Sequence, residues 1–291
     1  MKSLKQGLLL AVIAMSAPTW SCTETGTEGF VPENDMKISV NAKRFGGLNE
    51  AQFNNAIERV EVIYAPIVAQ QGGKLVIDRD WDDATVNAYA QRSGSSWMVN
   101  MFGGLARHET ITEDGMSLVV CHEIGHHIGG APTKVSGSSW ASNEGQADYF
   151  SNLKCLRRTF LNDDNIAIVA AMNVPAALTN ACAKAWTSVE DKAICVRGGM
   201  AGDSVARLFA SLRSQANAAK FDTPDASAVS NTNDNHPATQ CRLDTYFQGS
   251  LCEVNFNDNV ERNSEVAGTC HGSLGHKMGL RPTCWFKAKV Q

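Results

Sequence analysis

A chain of 291 residues, with 26 basic and 30 acidic side chains and a net charge of −4, can bury a full core in one large or two small domains. The balance is slightly acidic and no basic patch with interleaved aromatics stands out, which excludes nucleic acid as the expected partner. Nine cysteines favour disulfides in an oxidising compartment over a reducing cytosol.

Residues 1–21 have the make-up of a signal peptide. Lys2 and Lys5 precede an apolar run at 8–14, and small residues follow. That run is too short to span a bilayer, and no later stretch is long and apolar enough, so no transmembrane helix is expected in the mature chain. Two cleavage sites compete. One follows Ala14-Met15-Ser16. The other follows Ser21 and leaves Cys22 first, a candidate lipid anchor of the bacterial lipoprotein kind. Acylating Cys22 would leave eight cysteines for pairing. Alternatively one thiol, such as Cys121, is free and buried. The chain is thus expected to be exported: periplasmic, anchored to the outer membrane, or secreted. Residues 22–36 are polar and read as a flexible tether.

Apolar residues at three- and four-residue spacing predict a helix over 48–71, ended by Gly72-Gly73. Strands are expected at 74–78, 84–90 and 97–102. Helices are expected at 144–158, 166–172, 176–186 and 204–219, with Cys182 and Cys195 a candidate staple between the last two. Residues 221–240 are rich in Asp, Asn, Ser, Thr and Pro and read as a long loop. Residues 241–291 carry four Cys and are expected to form a disulfide-held segment packed on a domain at 37–240. Cys270, His271, His276 and Cys284 match no standard zinc spacing, so disulfides are favoured there.

The most informative stretch is Cys121-His122-Glu123-Ile124-Gly125-His126-His127-Ile128-Gly129-Gly130, which holds His-Glu-x-x-His. Thr112 is a suitable N-cap, Glu113 and Asp114 favour a first turn, and an apolar run follows. Gly129-Gly130 and Pro132 end the helix. Residues four apart share a helix face, so His122 and His126 can offer two imidazoles to one metal ion. Glu123, beside the first, can take a proton without binding the metal. A buried helix does not carry such groups unpartnered, because unpaired polar atoms are costly there. His127 points about 100° away from His126, so a surface or supporting place is expected for it. His108 and Glu109 are expected to be solvated.

Eighteen residues past His126 comes Glu144-Gly145-Gln146-Ala147-Asp148. Glu144, opening the next helix behind the N-cap Asn143, is the best third ligand. Asp148, one turn on, can accept the remaining N–H of a ligand histidine. Three protein ligands with one position open to solvent make a catalytic zinc site, so one zinc ion is expected.

These pieces, in the order Asn87-Ala88-Tyr89-Ala90, Ser95-Ser96-Trp97-Met98-Val99, Gly104-Leu105, His-Glu-x-x-His, Glu-x-x-Ala-Asp and His236-Pro237-Ala238-Thr239-Gln240-Cys241-Arg242, resemble the gluzincin peptidases that include HtpX and the CAAX-prenyl endopeptidases, in particular their soluble exported relatives. The likeness covers about residues 38–242. It implies a mainly helical α+β, zincin-like fold with a small mixed sheet and an active-site helix. It implies zinc on His122, His126 and Glu144, with Glu123 as base. It further implies that the strand holding Trp97, Met98, Val99 and Asn100 is a sheet edge that pairs with an extended peptide, with His236 and Arg242 near the cleft. His236 is the first candidate for the oxyanion donor and Tyr246 the second. His236 could instead swing onto the metal and hold the enzyme off. The expected activity is a zinc-dependent endopeptidase acting on exported or envelope proteins. The alternative is a non-catalytic chaperone or binding protein on the same fold.

Overall fold

The computed structural model describes residues 29–42, 46–135, 137–215 and 219–288. The expected signal peptide and Cys22 lie outside these residues. Asn49 starts the first helix, α1 (Glu50–Gln70), through a reciprocal capping box with Gln52. Its apolar face, Phe53, Ile57, Val60, Tyr64 and Val68, is fully buried. The chain then forms β1 (Lys74–Asp80), β2 (Ala88–Ser93) and β3 (Ser96–Phe102). β3 lies in the middle, parallel to β1 and antiparallel to β2.

Two of these strands depart from the sequence reading. β2 begins four residues later than expected and runs on to Ser93. Residues 84 and 85 instead meet the segment before α1: Ile38 N–H donates to Ala84 O, and Lys37 bridges to Thr85. β3, expected at an edge, has a neighbour on both sides, so the backbone of Trp97, Met98, Val99 and Asn100 is already committed to β1 and β2. Its apolar sequence suits the central place, whereas the more polar Ala-Tyr-Ala-Gln-Arg-Ser of β2 suits an outer one.

A short helix, α2 (Gly103–Ala106), leads to α3 (Glu113–Ile128), every residue of which from Gly115 onward is buried. Thr112 Oγ1 accepts from Gly115 N–H at 3.0 Å and caps it. Arg197 grips Asp114 of the first turn with two bonds of 2.7 Å. α3 packs against α1, β2 and β3 on one side, and against α4 (Glu144–Phe150) and α8 (Val189–Leu212) on the other. After α4 the helix continues as a π turn (Ser151–Cys155) into α5 (Leu156–Phe160). Two short helices, α6 (Asn165–Ala170) and α7 (Ala176–Ala185), precede α8.

α8 begins fifteen residues before the expected start at 204. Gly198, Gly199 and Gly202 interrupt its apolar pattern, yet they are where neighbours lie against the helix backbone. A Cβ on Gly199 would lie 2.5 Å from Leu178, and one on Gly202 would lie 2.8 Å from Tyr246. Residues 221–238 are irregular, as expected from their composition. α9 (Thr239–Leu251) then crosses the expected boundary at 240, packs on α4 and α8, and buries Arg242 and Tyr246 completely. The C-terminal stretch therefore shares the core with what precedes it. Trp285, also fully buried, lies against Gly145, where a Cβ would come within 2.2 Å of the indole. Arg281 Nε donates to Gln146 Oε1 at 2.7 Å.

All eight described cysteines pair: Cys121–Cys155, Cys182–Cys195, Cys241–Cys284 and Cys252–Cys270. The free, buried thiol considered for Cys121 is therefore not found. That residue ties α3 to the π turn, and Cys182–Cys195 is the staple expected from sequence. Four disulfides belong in an oxidising compartment. No helix among the described residues is long and apolar enough to cross a membrane.

Lys154, in the π turn, is 2% exposed and donates to Asn255 O at 2.7 Å. Burial pushes its pKa down to about 7. Between that value and about 10.5 the unfolded chain holds this proton and the folded one releases it, so the residue makes stability rise with pH across that window. Lys154→Met should therefore be more stable than the wild type at pH 7. The margin should shrink by up to about 1.4 kcal/mol per pH unit between pH 7 and 9 in urea unfolding. A margin that stays constant over that range would rule out a Lys154 that folding neutralises.

Candidate metal centre

α3 fixes His122 and His126 one turn apart, with ring centroids 4.7 Å apart at 89°. Each ring is oriented from behind. His122 Nδ1–H donates to Asp148 Oδ1 at 2.8 Å, and His126 Nδ1–H donates to the Ser142 carbonyl at 2.8 Å. Both Nε2 lone pairs are thereby left facing the same point. Glu144, the first residue of α4, brings Oε2 to 3.3 Å from His122 Nε2 and 3.7 Å from His126 Nε2. Asn143 Oδ1 accepts from Gln146 N–H and caps α4. Gln146 in turn donates to Gly129 O at the end of α3, locking the two helix ends together.

All these side chains are completely buried. His122 Nε2, His126 Nε2, both Glu123 oxygens and both Glu144 oxygens lack a hydrogen bond. An unsatisfied buried polar atom costs about 1–3 kcal/mol, so a cluster of them makes no sense as mere core. Two imidazole nitrogens and a carboxylate oxygen are the donor set that suits zinc. His122, Glu123 and His126 also form a group able to hold a metal, their ligand atoms all within 4.8 Å of one another. Glu144 stands in an ion pair without hydrogen-bond geometry, Lys134 Nζ lying 3.1 Å from its Oε1. Nothing in the sequence pattern singles out Lys134.

Burial pushes the Glu123 carboxyl up to about 8, and the nearby Glu144 charge adds to this. Burial drives His126 down to about 3. For Glu144 burial acts upward, but the surrounding His236, His126, His122 and Lys134 outweigh it and hold the carboxyl well below its usual range. The two carboxyls thus differ: Glu144 is held ionised and Glu123 is shifted toward its protonated form.

Asp148 is the hub behind the site. Besides His122 it accepts from Arg242 Nε and Nη2 at 2.8 and 2.7 Å and from Tyr246 O–H at 2.6 Å. Tyr246, the second candidate for the oxyanion donor, is therefore committed to Asp148 and points away from any substrate carbonyl. His236 Nε2 lies 3.4 Å from Glu144 Oε2 and donates to the Gly29 carbonyl at 2.7 Å. It thus stands beside the ligand set with its N–H aimed at a carbonyl oxygen.

His127 is not on the surface. It is 2% exposed and stacked between Trp97 and Trp140, and its Nε2–H donates to Met98 O at 3.1 Å. Trp97 and Met98 thus help fix the end of α3. Val99 is fully buried, and Asn100 donates to Tyr89 O. None of the four supplies a free strand edge. The backbone facing the site is that of β2, whose Ala88 O accepts from Phe30 N–H at 2.7 Å. His108, expected to be solvated, is 5% exposed and bonded to Thr110 and Ser211.

Residues 29–36, expected as the end of a free tether, are held against the domain. Gly29, Phe30 and Val31 are buried, and Phe30 and Gly29 lie against His122 and His236. Phe30 lies edge-on to His122, with centroids 5.0 Å apart. The only sequence sign of this was an apolar Phe-Val pair in a polar stretch. No family model, curated protein or solved structure matches the chain, so the gluzincin likeness rests on the quoted motifs.

Proposed function

We propose that the chain is a zinc-dependent endopeptidase acting on exported or envelope proteins in a bacterial periplasm or at its membranes. The observation that carries this reading is the convergence of His122 Nε2, His126 Nε2 and Glu144 Oε2, buried and without hydrogen bonds, beside a Glu123 whose two oxygens are equally unpartnered. A structural site would need no such second carboxylate. One zinc ion on those three residues would supply Lewis acidity to a water and to the substrate carbonyl.

This chain's own residues do the rest. Glu123 takes the proton of the attacking water and delivers it to the leaving amine, a task open to a carboxylate whose two oxygens have no other hydrogen-bond partner. His236 Nε2–H donates to the carbonyl oxygen as it gains charge. Asp148, held by Arg242 and Tyr246, keeps His122 in the tautomer that turns Nε2 forward. Ser142 O does the same for His126.

The test is metal content and peptide hydrolysis measured together. The purified chain should carry one zinc ion, cleave members of a mixed peptide library internally, stop when a chelator strips the metal, and resume when zinc is restored. Full metal content with no cleavage of any library member would leave a metal-binding protein and end the peptidase reading.

A further inference from the structure

We infer that Gly29–Phe30–Val31 occupies the place of a peptide substrate, and that the cleft favours a peptide with a large apolar side chain in the residue after the bond to be cut. This rests on the peptidase reading and gives it a register. Each main-chain polar group from the Gly29 carbonyl to the Val31 carbonyl is met from outside the segment. Gly29 O accepts from His236 Nε2 at 2.7 Å. Phe30 N–H donates to Ala88 O of β2 at 2.7 Å. Phe30 O accepts from Arg242 Nη1 at 2.7 Å. Val31 N–H donates to Asn87 Oδ1 at 3.1 Å, and Val31 O accepts from Asn87 Nδ2 at 3.2 Å.

Three separate parts of the fold thus read a backbone, and the contacts ask nothing of its side chains. Any buried backbone must have its polar groups met, but here the partners include His236, which stands beside Glu144, and Arg242, which holds Asp148. Reading an extended backbone against a sheet strand, with a pocket for one side chain, is how peptides are recognised. The register follows from His236. Its Nε2–H is given to the Gly29 carbonyl, and the same nitrogen lies 3.4 Å from Glu144 Oε2, which sets the Gly29–Phe30 bond beside the proposed metal ligands. The Phe30 ring then fills the pocket of the following residue. Its ring centroid is 5.0 Å from that of His122 and 5.3 Å from that of Phe209, and the Arg242 guanidinium lies 4.8 Å away. A segment tethered this close competes at high effective concentration with any peptide from outside. The chain therefore holds its own cleft shut until a substrate displaces the segment.

The test uses a labelled product-side peptide, Phe-Val-Pro-Lys(fluorescein)-amide, which has no bond before its Phe to be cut, and its Asp-Val-Pro counterpart. Phe30→Asp removes the ring and sets a carboxylate beside an Arg242 guanidinium that Asp148 already engages. Gly29→Ala adds a Cβ 2.8 Å from Asn87 Nδ2 at a φ of +87°. Both should expel the segment from the full chain. The Phe peptide is expected to bind both variants at least tenfold more tightly than the wild type, read by anisotropy, and the Asp peptide to bind none of them. In the unaltered protein, excess Phe peptide should raise hydrogen exchange at Phe30 N–H, a readout that survives if either variant misfolds. Equal affinity for wild type and folded variants, equal binding of the two peptides, or unchanged exchange at Phe30 would each overturn the inference. Binding with this pattern but no hydrolysis of longer peptides would uphold the occupied cleft and refute the peptidase instead.

Discussion

Glu123→Gln is expected to lower chelator-sensitive peptide hydrolysis by about 10²–10⁴-fold in kcat while leaving the fold and the zinc content unchanged. Gln matches Glu in size, so the fully buried site keeps its packing. The metal should stay, because His122, His126 and Glu144 converge without the help of Glu123. What is lost is a carboxylate that can accept the water's proton and return it, whereas an amide of the same shape can do neither. The measurement pairs initial rates on the best library peptide with zinc determined on the same sample. Cleavage at the wild-type rate in a zinc-replete variant would remove Glu123 from the mechanism. A parallel loss of zinc would show it to be a ligand instead.

Arg242→Met should destabilise the protein by about 3–5 kcal/mol, the cost of stranding a buried charge. Asp148 is wholly buried and takes two of its bonds from that guanidinium. With the Arg gone, the carboxylate keeps only Tyr246 and His122, and it must take up a proton or remain charged in a dry place. Protonation would disturb the bond that orients His122, so zinc affinity should fall by about 10–100-fold as well. Urea unfolding and competitive zinc titration read the two effects. The double variant Arg242→Met, Asp148→Leu should recover part of the lost stability without recovering zinc affinity. If the double variant is less stable by the full sum of the single effects, Arg242 and Asp148 are not coupled in the way the geometry implies.

The helix that carries His122, Glu123 and His126 was the most legible part of the chain. Its cap, its acids in the first turn, its apolar run and its glycine stop all lie close together in sequence, and a four-residue spacing fixes a face without help from tertiary structure. Glu144 and Asp148 were legible for the same reason, since α4 carries its own Asn143 cap. What could not be read was set by distant partners. The central place of β3 depends on β1 pairing with it in parallel, across a connection that leaves no local mark. The glycines of α8 look like breakers until Leu178 and Tyr246 are seen against them. Of the two places open to His127 it takes the supporting one, a choice the sequence left undecided because nothing nearby announces Trp97 and Trp140 as its stacking partners. Phe30 and His122 are far apart in sequence, and their contact shows only in three dimensions.

The contact between Trp285 and Gly145 bears on the order in which the molecule is completed. The residue that braces the third donor is synthesised long after Glu144 itself. The disulfide that holds the indole's neighbourhood, Cys241–Cys284, likewise closes only once both of its halves have reached an oxidising space. A chain that stops short of Trp285 would carry both histidines and Glu144 but lack the indole that lies against Gly145. On the zinc reading, a site whose donors all lie in the first half of the chain would thus depend on a side chain close to residue 285 for its completion.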